Sequence, residues 1–310
     1  MLPAPFEYHA PRSMDEALGL LGELGDDAKV LAGGQSLIPL LKLRFANPGH
    51  LVDINKIKDL DFLEERDGTL RIGPLFRHKS AERSSLLASR YHVMADAAPQ
   101  IADPIIRNRG TIAGSVAHAD PSGDWGTVLL ALEADFVLRS RSGSRTVKAR
   151  DFFSGPFGTA LEPTEILSEI RIPASRSQTG GSYLKLERKV GDFATVAVAV
   201  HLQMDDGKVG SAGIGLTAVG PQNIKAERAE AALRGAKLDD ATIKEVAALA
   251  AEAAEPKADH RGSVEYKRNI VRVFTERGFF SGCKHASCHE RPQAAMVRRI
   301  PGSGSRVSSS

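Results

Sequence analysis

The run Arg107 to Asp124, RNRGTIAGSVAHADPSGD, is small, polar and glycine-studded, with few bulky apolar anchors. A run of this length and composition is more than a connection between elements. Its small residues let a flat ligand lie against the backbone. Thr111 and Ser115 offer hydroxyls for phosphate oxygens, and Asp120 and Asp124 offer acceptors for sugar hydroxyls. Far upstream stands a second such stretch, Ala32-Gly33-Gly34-Gln35-Ser36, between a strand-like Ala28 to Leu31 and a helix-like Ser36 to Leu43. Glycines let the chain turn and come close to a ligand, and successive backbone N–H groups form an anion nest. The following helix start adds its dipole. Neither the G-x-G-x-x-G fingerprint nor a Walker G-K-[ST] is present, so a doubly wound dinucleotide fold and a P-loop are both disfavoured. Alone, the upstream stretch reads equally well as a tight turn with positive φ. Two separated stretches in one domain point to a clamp for an extended dinucleotide.

The surrounding sequence supports an α+β chain. Ser13 to Leu24 reads as an amphipathic helix with Ser13 as N-cap and Glu16 at the third helical position. Leu51 to Ile54 and Leu70 to Ile72 read as strands, the second after the hairpin signal Asp67-Gly68. Helical segments are expected at Lys79 to Ala88, Tyr91 to Ala98 and Thr127 to Leu132, with Arg107 to Asp124 as a loop between them. Phe136 to Arg139 pairs with Arg145 to Ala149, and Ile166 to Ile172 is a strand closed by Pro173. A Ser/Thr/Gly linker follows at Ala174 to Gly181. Beyond it, Ser182 to Arg188, Ala194 to Gln203 and Lys208 to Thr217 read as antiparallel strands. Helices are expected at Asn223 to Leu233, Asp240 to Ala254 and Ser263 to Arg277.

Composition narrows the function. The chain has 310 residues, 42% hydrophobic and 25% charged, enough for two ordinary domains. The net charge of +3 comes from 41 basic and 38 acidic residues with no clustered stripe, which argues against nucleic-acid binding. No signal peptide and no bilayer-length apolar run is seen, so a cytoplasmic protein without membrane insertion is expected. Cys283 and Cys288 are too few for an iron–sulfur set. Together with His285 and His289 they make a cramped C-x-H-x-x-C-H spacing that fits no common zinc pattern, and the region reads as a solvated tail. Apart from the His285 and His289 pair of that tail, no H-x-x-x-H spacing occurs, nor any nucleophile elbow or acid pair at convincing spacing, so no catalytic residue and no metal ligand is assigned. His118 is either a base or a loop hydrogen-bonder. Lys185, on the strand opening the second domain, either reaches across a cleft or is solvated. Trp125 reads as a core or interface anchor.

With these residues in hand, the chain resembles the medium, flavin-binding subunits of the xanthine dehydrogenase and aerobic carbon monoxide dehydrogenase family, the molybdenum hydroxylases. Four stretches carry the likeness: AGGQSLIPLLKL at Ala32 to Leu43, LVDINKIKDL at Leu51 to Leu60, Arg107 to Asp124, and Gly181 to Ala199 with its Gly191-Asp192-Phe193-Ala194 turn. Ala113 departs from a glycine common in the family. The resemblance implies a two-part FAD-binding domain of the vanillyl-alcohol-oxidase (PCMH) type over residues 1–176. A smaller α+β domain with a three- or four-stranded antiparallel sheet and helices would cover 181–280, and a disordered tail 281–310.

By the same resemblance, Ala32, Gly33, Gly34, Gln35, Ser36 and Leu37 hold the pyrophosphate of FAD from one side. Thr111, Ala113, Gly114 and Ser115 hold it from the other. Asp120 and Asp124 take the sugar portion, the backbone near Leu167 lies by the ring, and Lys185 reaches the cofactor from the second domain. Gly34→Ala or Gly114→Ala should weaken FAD binding far more than it unfolds the chain. The implied role is electron transfer, from [2Fe–2S] clusters on a small partner subunit through FAD to an external acceptor. Substrate hydroxylation would occur at a molybdopterin cofactor on a large partner subunit, in a dimer of heterotrimers. A stand-alone FAD-dependent oxidase or dehydrogenase of the same fold is the alternative, and would need its own substrate pocket and base.

Overall fold

A computed structural model describes residues 2–286. The opening segment alternates β1 (Glu7–His9), α1 (Met14–Leu24), β2 (Ala28–Leu31), α2 (Leu37–Leu43) and β3 (His50–Asp53). Its strands form a parallel sheet in the order β1-β3-β2. The Ser13 hydroxyl accepts from the Glu16 amide at 3.1 Å, and the Glu16 carboxylate accepts from the Arg12 amide at 2.8 Å. The first bond satisfies a donor that the first helical turn would otherwise leave open, and the second ties the residue before the cap to that turn. Ala17, Leu18 and Leu21 of α1 bury against Val52, Ile54 and Ile166.

A five-stranded antiparallel sheet follows, in the order β4-β5-β8-β6-β7. Its strands are β4 (Leu63–Arg66), β5 (Thr69–Ile72), β6 (Asp135–Ser140), β7 (Gly143–Lys148) and β8 (Ile166–Pro173). Between β5 and β6 lie α3 (His78–Glu82), α4 (Ser85–Arg90), α5 (His92–Ala97), α6 (Pro104–Arg109), α7 (Ile112–His118) and α8 (Asp124–Ala131). The short α9 (Ala149–Phe152) follows β7. Two expectations are corrected here. Lys79 to Ala88 is not one helix, because the Ser84 hydroxyl accepts from the Leu87 amide and starts α4 afresh. Arg107 to Asp124 is not a loop but the end of α6, all of α7 and a turn into α8. Side-chain caps by Asp103 and Thr111 start α6 and α7 despite the glycines.

The last unit is a four-stranded antiparallel sheet, β12-β11-β10-β9, covered by helices. It contains β9 (Thr179–Leu186), β10 (Val196–Asp205), β11 (Lys208–Thr217), β12 (Ile224–Lys225), α10 (Glu227–Leu233), α11 (Asp240–Ala253) and α12 (Val264–His285). The expected helix at Asn223 therefore begins only at Glu227, since Ile224 and Lys225 pair with β11. The expected tail is shortened too: α12 runs on to His285, and Cys283 is buried in the core rather than solvated. The remainder of that tail, with Cys288 and His289, lies outside the described residues.

Strand β10 shows how alternation builds two cores at once. Val196, Val198, Val200, Leu202 and Met204 face the helices of the last unit, while Ala197 and Ala199 face the central core. The small alanines fit the side on which α8 approaches. Every residue of α8 is buried. A Cβ at Gly213 or Gly215 of β11 would run into the carbonyls of Ala131 or Thr127, so the helix lies directly on the strand backbone.

Candidate functional site

The two glycine-rich stretches meet. A Cβ built on Gly33 would lie 2.5 Å from the Arg109 oxygen and 2.8 Å from the Gly110 Cα. Both neighbours are backbone, so only glycine allows this approach. Gly34 has φ +75°, the left-handed region that favours glycine, and the Ile38 amide closes the turn onto the Gly34 carbonyl at 3.0 Å. The Gln35 amide group turns back to the Gly33 carbonyl at 3.0 Å, while Ser36 precedes α2 without capping it through its side chain. Ala32 and Leu37 flank this turn, at the end of β2 and the start of α2.

Residues that sequence reasoning passed over hold the two stretches in register. Asn55 donates to the Ala32 carbonyl at 2.8 Å and accepts from Arg77 at 2.6 Å. Arg77 also donates to the Arg109 carbonyl. One chain of hydrogen bonds thus runs from the first stretch to the second. Asn55 closes the LVDIN sequence, and its position just after a strand was the available signal. Main-chain bonds from His78 to the Gly110 carbonyl (3.0 Å) and from Ile112 to the Phe76 carbonyl (3.1 Å) fix the start of α7. There the Thr111 hydroxyl accepts from the Gly114 amide at 3.0 Å. A Cβ on Gly114 would come within 2.6 Å of that hydroxyl. Ala113 is buried in the core with its methyl accommodated, and Ser115 is half-buried in α7.

His78 stands behind this junction, buried, with its Nδ1 accepting from the Trp125 indole at 3.0 Å. Trp125 is fully buried, as a core anchor. Burial, and then Arg107 and Arg77, push the His78 imidazole down to about 4 from an ordinary value of 6.5. A depressed value means that the neutral ring stabilises the fold. That contribution, about 3 kcal/mol, is complete above pH 6.5 and is lost as pH falls towards about 4. His201, also held down to about 4 by burial, adds a parallel slope. We expect His78→Gln, which cannot titrate, to lose less stability than the parent between pH 7 and pH 4.5 in denaturant unfolding. An unchanged acid slope in that variant would show that His78 is not one of the groups responsible.

The turn between α7 and α8 is tied to the last unit. The Asp120 carboxylate accepts from the Ser122 amide at 2.8 Å. The Ala218 amide donates to Pro121 at 3.0 Å, and Asn223 donates to Gly123 at 3.1 Å and Thr127 at 2.9 Å. His118, at the end of α7, lies 5.1 Å from the Phe157 ring, centroid to centroid, and burial lowers its pKa. Asp124 is buried, with one carboxylate oxygen accepting from the Tyr183 hydroxyl and the other facing Lys185 Nζ at 3.2 Å. Burial pushes the Asp124 carboxyl up, against the pull of Lys185. Lys185 is not a solvated lysine: its side chain is 1% exposed, it donates to the Gln100 carbonyl at 2.9 Å, and Glu187 lies 3.6 Å away. That Glu187 oxygen, Oε2, is buried and makes no hydrogen bond, while Oε1 accepts from the Gly191 amide at 3.3 Å. Leu167 lies in β8 with its side chain in the central core, on the strand against which α7 packs.

Backbone apposition at Gly33, a left-handed turn at Gly34 and hydroxyls at Thr111 and Ser115 suit an elongated anion held between two segments. The buried Lys185 cation, between Asp124 and Glu187, adds a charged end to the second stretch.

Known proteins share this fold. The family described as the FAD binding domain in molybdopterin dehydrogenase matches residues 4–175, and the CO dehydrogenase flavoprotein C-terminal domain matches 181–281. The carbon monoxide dehydrogenase medium chain of Hydrogenophaga pseudoflava is 44% identical over 277 residues, 89% of this chain and 96% of that one. The glyceraldehyde dehydrogenase medium chain of Sulfolobus acidocaldarius is 36% identical over 279 residues, 90% of this chain and 99% of that one. A solved carbon monoxide dehydrogenase from H. pseudoflava, lacking the Mo-pyranopterin moiety of its molybdenum cofactor, superposes with a TM-score of 0.88 at 44% identity. The match covers 92% of this chain and 99% of that one.

Proposed function

The chain belongs to the family of FAD-binding medium subunits of the molybdopterin dehydrogenases, and from that premise we propose that it carries electrons through FAD between a partner's [2Fe–2S] clusters and an external acceptor. It is an FAD-binding subunit of a molybdenum hydroxylase-type complex, with the PCMH-like domain followed by the smaller sheet-and-helix domain. We assign residues 1–176 to the first and 181–280 to the second. The partners are a small iron–sulfur subunit and a large molybdenum subunit, assembled as a dimer of heterotrimers. Relatives named for carbon monoxide and for glyceraldehyde are similar in sequence to this chain over 89% and 90% of its length. That supports a medium subunit indifferent to substrate, with the choice made on the large subunit.

The observation that carries the reading is the backbone contact of Gly33 with Arg109 and Gly110. It brings together two small-residue segments, each furnished with main-chain N–H groups and hydroxyls, as a pyrophosphate requires. Ala32 to Leu37 would hold one side and Thr111, Ala113, Gly114 and Ser115 the other. Asp120 and Asp124 would lie by the sugar portion, and the backbone at Leu167 and the Lys185 ammonium towards the ring. FAD, when bound, supplies the change between two-electron and one-electron chemistry. The chain's own task is to bind, orient and shield the cofactor.

Isolated apo-protein should bind FAD at least about tenfold more tightly than FMN, since FMN offers one phosphate where the clamp suits two. Fluorescence titration with both flavins measures this. Equal affinity would remove the pyrophosphate assignment. The electron route is tested by assembling the complex and following flavin absorbance as substrate is added. Bleaching that follows cluster reduction is expected, and a flavin that stays oxidised while substrate is consumed would overturn the route.

A further inference from the structure

We propose that Glu7, His9 and His50 form a binding site for one divalent transition-metal ion of the zinc class, on the face of the N-terminal sheet. Strands β1 and β3 are parallel neighbours, with Glu7 opposite His50 and His9 opposite Val52. Glu7 and His9 are two residues apart and so share a sheet face, on which His50 joins them. His9 Nε2 lies 3.1 Å from His50 Nδ1, and Glu7 Oε2 lies 3.6 Å from the same His50 nitrogen. Ligand atoms bound to zinc at about 2.0–2.1 Å in a tetrahedron are separated by about 3.4 Å. The spacing already present falls on either side of that value.

A second observation concerns the other nitrogen of His50. Its Nε2 faces the Asp27 carboxylate at 3.8 Å, and Asp27 is held in place by accepting from the Gly49 amide at 2.8 Å. Beyond hydrogen-bond distance, the negative charge of that carboxylate still favours the proton on the far nitrogen, which leaves the near one with a lone pair. Here that near nitrogen is Nδ1, the atom aimed at His9 and Glu7. Without a metal, His9 Nε2–H can donate to it. With a metal, His9 takes its other neutral tautomer and both ring nitrogens turn lone pairs to the ion. Two anionic carboxylates, Glu7 and Asp27, balance a double positive charge. Two imidazoles and one carboxylate favour zinc, nickel or copper over magnesium or calcium. Both histidines are half-buried and Glu7 is exposed, which leaves water for the remaining coordination position.

The ion would clip the edge strand β1 to β3. Because β3 leads to Asn55, which bonds the Ala32 carbonyl at 2.8 Å, the clip would also steady the sheet that presents the first glycine turn.

The test uses the untagged full chain, stripped with a chelator and titrated with zinc by calorimetry, then with cobalt, whose visible spectrum reports nitrogen and oxygen ligation. One ion per chain is expected. His9→Gln and His50→Gln should each weaken binding at least tenfold and remove the rise in melting temperature that zinc gives the parent. Asp27→Asn keeps its oxygen acceptor for Gly49 and should also weaken binding about tenfold, the effect of losing the outer carboxylate. If a histidine variant fails to fold, Glu7→Gln at an exposed position serves as the ligand test. Absence of zinc binding, or an affinity unchanged in the ligand variants, overturns the proposal. The second result would move the ion elsewhere on the chain.

Discussion

Replacing Gly33 with alanine should cost the chain about a thousandfold in FAD affinity, about 4 kcal/mol, while the apo-protein still folds. The new methyl group would lie 2.5 Å from the Arg109 oxygen and 2.8 Å from the Gly110 Cα. A flexible side chain could swing aside, but two backbone segments cannot. Arg109 is held by Arg77, and Gly110 by its bonds to His78 and Ile106. The segments must therefore separate, and the donors on each no longer converge on one ligand. The folding cost is that of an overpacked contact between two buried glycines, about 1–3 kcal/mol. Paired measurements decide it: denaturant unfolding of the apo-protein, and flavin titration of parent and variant. A variant that binds FAD as the parent does would show that the contact at Gly33 is not the clamp. Gly34→Ala meets mainly the Ile38 side chain and a strained φ, and Gly114→Ala meets the Thr111 hydroxyl. Both should cost less than Gly33→Ala.

The contrast among these glycines marks how far the sequence could be read. Strands with strict alternation, such as Val196 to Met204, and capped helices, such as the one after Ser13, announce themselves through periodicity and local hydrogen bonding. So did the existence of two small-residue stretches. Their internal structure was less legible. Arg107 to Asp124 reads as loop by composition, yet Asp103 and Thr111 cap two short helices within it. Tertiary packing of Ile112 and Val116 into the central core then overrides the weak helix propensity of glycine. Nor does any periodicity reveal that Asn55 and Arg77 connect the two stretches, because that link depends on contacts between residues distant in sequence. Ile224 and Lys225 were read as helix for a similar reason: only the neighbouring edge of β11 makes them a strand.

Lys185→Met should destabilise the chain by about 3–5 kcal/mol, more than any other single change to the polar groups of this cleft. The methionine stem replaces most of the lysine's packing, so the loss is one of charge. Lys185 is the cation facing two carboxylates, Asp124 at 3.2 Å and Glu187 at 3.6 Å, and its side chain is 1% exposed. Without it, among the described residues, Asp124 keeps the Tyr183 hydroxyl alone, and Glu187, already with a buried oxygen lacking a hydrogen-bond partner, loses the ammonium that faces it. Burial alone already pushes the Asp124 carboxyl up. In the variant it should take a proton at higher pH still, so the loss of stability should grow as pH rises and the carboxylate is forced to ionise. Asp124→Asn removes one of the stranded charges. The double variant should therefore be more stable than the sum of the single changes, with a coupling of about 1–3 kcal/mol. Denaturant unfolding of the four proteins at pH 6 and pH 8 measures both effects. If Lys185→Met unfolds at the parent's midpoint, the charge is not what joins β9 to α8, and the lysine is free to be judged by its effect on flavin alone. If it is destabilised and the double variant is not rescued, the ammonium acts chiefly through Gln100 and Glu187, and Asp124 is held by Tyr183.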